Sequence, residues 1–79
     1  MGLAATEKEL GDKAARYLKG RLKQASVTYA ELAQKMEAHG MRESASSIAN
    51  KLSRGTVSAA FLLATLAALE MEGMRLEDL

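Results

Sequence analysis

There is no cysteine, no proline and no tryptophan in this chain of 79 residues, and it has only two tyrosines and one phenylalanine. Without cysteine, disulfides and thiolate metal sites are excluded, and with them the usual staples of a small secreted domain. Without proline, no helix is interrupted by a missing backbone amide. With so few aromatics the core must be aliphatic, built from Leu, Ala, Met and Ile. Nothing alternates with period two over a useful length, so no sheet is expected. The longest apolar run, Ala59 to Leu69, is broken by Thr65 and falls well short of the roughly 20 residues that cross a bilayer. No charged stretch leading into an apolar one opens the chain, so no secretory signal is expected. Met1-Gly2-Leu3-Ala4-Ala5-Thr6 fits the permissive N-myristoylation template, but a plain start is the better reading. The expectation is a cytoplasmic, all-α chain.

What is present is alanine- and leucine-rich helix-forming sequence, enough for one domain near the length where a single core is just sufficient. The formal net charge of +1 hides a separation of sign. Residues 1–12 hold one cation and three anions, residues 13–54 nine cations and three anions, and residues 55–79 one cation and four anions. A basic middle between acidic ends is the footprint of a localised electrostatic surface.

Start and stop signals divide the chain into five short helices. Thr6 with Glu9 opens the first, with Gly11 weakening its first turns and Asp12 offering a second N-cap. From Lys13 to Ala25, the residues Ala14, Ala15, Leu18, Leu22 and Ala25 face inward. Lys13, Arg16, Lys19 and Lys23 face outward, equally readable as a solvated face or as phosphate contacts. Thr28 and Glu31 form a capping box for the second helix, with Val27 and Leu32 as its hydrophobic staple and Gly40 as its stop. Ser44 caps a third helix that Gly55 ends. Ser58 caps a fourth, apolar nearly all round, running to about Glu72 before Gly73, and Met74, Leu76 and Leu79 close the chain against the core.

The third helix carries the functional signal. Ala45, Ile48, Ala49 and Leu52 follow the i, i+3, i+4, i+7 spacing of a buried stripe. Its other side presents Ser46, Ser47, Asn50, Lys51 and Arg54, with no carboxylate among them. Hydroxyls, amides and guanidiniums are the groups that phosphates and base edges accept. Asn50 and Arg54, four apart, share one face and suit adenine and guanine respectively. The plainer reading is a solvated Asn50 and an Arg54 that complements the helix dipole. Ser46, Ser47 and Lys51 read as contacts to the backbone of the nucleic acid. Arg42 suits a phosphate or the minor groove, or stands free. The amides beside Thr28 and Tyr29 suit a phosphate at a helix N-terminus, and Tyr29 equally suits the core. His39 has no nucleophile, carboxylate or further ligand arranged around it in the sequence, so neither catalysis nor a metal site is indicated, and no enzyme or cofactor is expected.

Thr28 with Glu31-Leu32-Ala33, Ile48 with Arg54-Gly55, and Ser58 with the apolar run ending at Leu69 together resemble the Cro/repressor type of helix-turn-helix. The closing segment Met74–Leu79 is similar to one common in that family. The block Ser47–Gly55 also resembles a set of small bacterial domains of unassigned function thought to share the fold. The interval from Ala33 to Ile48 exceeds the family's usual one by more than a turn, so either the second helix is longer or the turn around His39–Ser44 is enlarged. The resemblance implies a repressor-like bundle. Residues 1–11 would be an arm or frayed helix start, and residues 12–79 a single helix-turn-helix domain. It also implies a bacterial transcription regulator that binds double-stranded DNA with helix 44–54 in the major groove. The DNA-contacting residues would be Thr28, Tyr29, Arg42, Ser46, Ser47, Asn50, Lys51 and Arg54. Homodimerisation is expected through helix 58–72 and the C-terminal segment. The alternative is a protein–protein interaction module built on the same scaffold.

Overall fold

Among the described residues every α-helix begins on a hydroxyl residue. Thr6, Thr28, Ser44 and Ser58 each adopt an extended conformation and accept a hydrogen bond from the amide three residues on. Each thereby satisfies one of the orphan donors of a first turn. The computed structural model describes residues 6–79. The helices are α1 (Glu7–Gln24), α2 (Tyr29–Glu37), α3 (Ala45–Arg54) and α4 (Ala59–Ala68), followed by a 3₁₀ turn at Leu76–Asp78. The N-myristoylation template lies outside the described residues, apart from Thr6.

The helices end as uniformly as they start. One to three residues past each C-terminus the backbone turns left-handed, at Ser26 (φ 57°), Gly40 (φ 78°), Gly55 (φ 71°) and Glu70 (φ 58°). In each case the following amide reaches back across the turn, from Val27 to Leu22, Met41 to Met36, Thr56 to Lys51 and Met71 to Leu66. This is the Schellman geometry, which returns the chain sharply towards the core. Two of these positions are glycines and fall where the sequence places them. The other two were not legible. The fourth helix stops at Ala68, turned by Glu70, and not near Glu72 at Gly73. The result is four α-helices and a closing 3₁₀ turn in place of five helices, with no strand among the described residues.

Asp12 is not a cap: α1 runs unbroken through Gly11 and Asp12. Gly11 has a different task. A Cβ built on it would collide with the backbone carbonyl oxygen of Gly55, and a Cβ on Gly55 would collide with the Asp12 carboxylate. The start of α1 therefore crosses the end of α3 at backbone-to-backbone distance, which only glycine permits.

Around this crossing Ala15, Leu18 and Leu22 of α1, Leu32 and Met36 of α2, Ile48 and Leu52 of α3, and Phe61, Leu66 and Ala68 of α4 form one buried cluster. Ala14 is only half-buried, and Ala25 and Ala45 are exposed, because they lie at the margins of the expected stripes. Thr65, the one buried polar side chain among the described residues, donates to the Phe61 carbonyl at 2.8 Å. The radius of gyration, 11.9 Å, matches the value of about 11.6 Å for a compact domain of this length.

The two glycines of α1 should respond oppositely to alanine. Gly20 faces open space, so Gly20→Ala should stabilise by about 1 kcal/mol through helix propensity. Gly11→Ala should cost about 2 kcal/mol or more through overpacking. Thermal melts of both variants test this, and equal shifts would rule out the close crossing.

Candidate nucleic-acid interface

On α3, Ile48 and Leu52 are fully buried, which turns the opposite side of the helix outward. Ser46, Asn50, Ser53 and Arg54 are exposed there. Ser46, Asn50 and Ser53 follow the i, i+4, i+7 spacing of one ridge, with Arg54 on its flank. Ser53 was passed over in the sequence, although the same spacing marks it. No carboxylate lies within α3 or α4.

Ser47 and Lys51 are placed differently. Both are half-buried and turn towards Glu43 in the loop before the helix. The Ser47 hydroxyl accepts from the Ser44 amide at 2.9 Å and donates to Glu43 Oε1 at 2.6 Å. Lys51 Nζ is ion-paired with Glu43 Oε2 and lies 5.3 Å from the centroid of the Phe61 ring, within cation–π range. The Glu43 side chain is only 6% exposed. Burial by itself would raise its carboxyl pKa. The hydrogen bonds from Lys51 and Ser47 and the charge of Lys51 outweigh that effect and hold the carboxyl below its usual range. One residue outside the helix thus divides the polar face into a free ridge and an internally committed edge. The signal for it was a carboxylate four residues before Ser47 and eight before Lys51.

The remaining candidates lie apart from this ridge. Arg42 is exposed in the loop beside Glu43. Thr28 is committed to the α2 capping box: its hydroxyl accepts from the Glu31 amide at 3.1 Å, and its own amide donates to Glu31 Oε1 at 3.0 Å. The Thr28 amide, then its hydroxyl, and the charge of Lys35 hold the Glu31 carboxyl below its ordinary pKa against the effect of burial. An anion approaching this N-terminus meets a carboxylate already seated on it. Tyr29 is half-buried and packs against the core cluster.

α2 is nine residues long, so the long interval from Ala33 to Ile48 comes from the connection, residues 38–44, and not from a longer helix. His39 is exposed within that loop. Among the described residues no group of histidine, cysteine and carboxylate side chains is arranged to hold a metal ion, and no helix is long and apolar enough to cross a membrane.

The geometry is that of a small all-helical domain presenting one polar, acid-free helix ridge. Residues 10–74 match the family described as a domain of unknown function (DUF6471), and the chain belongs to that family. No curated protein and no solved structure matches it.

The Glu43 cluster has a pH signature. A carboxyl whose native pKa lies below its unfolded value stabilises the fold above the ordinary glutamate range, about 4.3, and loses that contribution as pH falls through the native pKa. Glu43→Gln should therefore be less stable than wild type at neutral pH, by about 2 kcal/mol for the charge-assisted bonds lost. The gap should narrow in acid. Denaturant titrations across that range check it, and a gap independent of pH would contradict the assignment.

Proposed function

We propose that this domain is a bacterial, cytoplasmic, sequence-specific DNA-binding protein of the helix-turn-helix kind, and a transcription regulator. α2 and α3 would form the motif, with α3 entering the major groove of double-stranded DNA. The observation that carries this reading is the Ser46–Asn50–Ser53–Arg54 ridge, exposed and free of carboxylates on a helix whose other side is locked in the core. Asn and Arg are the side chains that pair bidentately with adenine and guanine in that groove. Ser46, Ser53 and Arg42 would meet phosphates. Ser47 and Lys51 serve this reading by holding the ridge in place through Glu43. Thr28 and Tyr29 serve it by starting α2 and packing it on the core.

A single helix reads few base pairs, and proteins of this kind bind paired half-sites as two-fold dimers. A second copy of the chain is the partner that fits the outer face of α4. Ala60, Leu63 and Ala67 lie there at i, i+3 and i+7, all exposed, with Leu63 65% exposed.

The rival reading, a protein-docking module on the same scaffold, is favoured by a groove of about 920 Å³ walled by Leu10, Val57, Leu62 and Leu76. Salt separates the two. Binding through phosphates weakens linearly in log affinity with log salt, whereas an apolar contact hardly responds.

Two outcomes are expected. Selection from a random duplex library should yield a preferred sequence, and Asn50→Ala with Arg54→Ala should lose about 1–3 kcal/mol of discrimination per side chain without loss of helicity. If the double variant selects the same sequence, the ridge is not the reading surface. Leu63→Glu should keep the fold and shift the molecular mass measured by light scattering from dimer to monomer. A monomeric wild type at high concentration would remove the two-fold arrangement.

A further inference from the structure

α1 carries a second charged surface that the α3 ridge does not use. From residue 13 through residue 30 the chain holds Lys13, Arg16, Lys19, Arg21 and Lys23 and no acidic residue. Arg16, Lys19 and Lys23 are exposed. Among the described residues none of the three side chains has an ion-pair or hydrogen-bond partner. At 100° per residue, Asp12, Arg16, Lys19 and Lys23 fall within a sector of about 60° on the helix. They form one line along α1, and its cationic part is about 10 Å long.

The head of that line is fixed against α3. The Asp12 carboxylate lies against Gly55, directly after Arg54, where the backbones of α1 and α3 cross. Asp12 is thus the point at which this line meets α3, while Arg54 and Gly55 also border the groove beside Leu10 and Ala14. Asp12 itself is balanced by Lys8, 3.3 Å away, so it does not cancel the cations beyond it. The other flank of α1 is occupied: Leu10 and Ala14 line the apolar groove beside Leu76 and Leu79, and Arg21 donates to Gln24 at 3.0 Å.

We infer that Arg16, Lys19 and Lys23 form a phosphate-contacting track along α1, beginning where Asp12 meets the end of α3, and that it holds the sugar-phosphate backbone of the duplex. This rests on the DNA-binding reading above. The track supplies the cationic contacts that Lys51, neutralised by Glu43, withholds. Three flexible cations in a line with no hydrogen-bonding side chain among them suit a repeating charge, so the track adds affinity and orientation without selecting sequence.

The test replaces Arg16, Lys19 and Lys23 together by glutamine, which preserves helix propensity at exposed sites. Binding is measured to a mixed-sequence duplex and to the selected duplex, each of about two helical turns, from about 50 to 200 mM salt. The slope of log affinity against log salt should become less steep by about 2 to 3, and affinity for both duplexes should fall by the same factor. Arg21→Gln, which removes one cation from the other flank, should leave the slope unchanged. An unchanged slope in the triple variant overturns the track while leaving the α3 reading intact. An equal loss of slope per charge in Arg21→Gln overturns it too, because net charge alone would then explain the effect. Failure of the wild type to bind either duplex overturns both readings.

Discussion

Where α1 crosses α3, two glycines bring backbone against backbone, and much of the molecule's geometry follows from that contact. Gly55 has two tasks there: its left-handed conformation ends α3, and its missing side chain makes room for Asp12, as that of Gly11 makes room for the Gly55 carbonyl. A chain of this length has no disulfide to set the angle between its helices and only a small core to defend it. Steric exclusion at one crossing does so instead. Once α1 is seated on Gly55, the direction of α3 is set, Ile48 and Leu52 are committed inward, and the polar ridge has no alternative but to face outward.

Glu43 provides the second constraint, and it is electrostatic. A nearly buried carboxylate costs free energy unless its oxygens are satisfied. Here Ser47 and Lys51 of α3 satisfy them, drawing the loop of residues 38–44 onto the start of the helix. The same contacts spend two of the polar groups that α3 would otherwise offer to a ligand. The free ridge and its rigid support are built from neighbouring residues of the same chemical kind, sorted by a residue that is not in the helix at all.

The helix starts were legible because capping is a local event: a hydroxyl residue just ahead of a helical apolar pattern, followed three residues later by a glutamate at Thr6 and Thr28, is visible in sequence. The stops at Gly40 and Gly55 were legible for the same reason. Ser26 and Glu70 were not, since nothing local announces that a non-glycine residue will accept a left-handed backbone. The return of Val27 and Met71 to the core imposes it. Gly11 read as a weak point of a helix because its partner lies 44 positions away in the chain, Gly55. Glu43 was read as part of a turn, and its partnership with Ser47 and Lys51 appears only once the loop has folded back. Burial margins at Ala25 and Ala45 misled for a simpler reason: periodicity gives the direction of a side chain but not how far its neighbour extends.

Because all four rods carry a local start signal and two of them a local stop, much of the information that delimits them is confined to a few neighbouring residues. Little of it waits for distant parts of the chain to meet. Small helical bundles are of the class with low contact order, whose members tend to assemble on the order of microseconds to milliseconds. The slow part of the search is then reduced to docking ready-made rods, and its decisive event is the meeting of the first rod with the far end of the third.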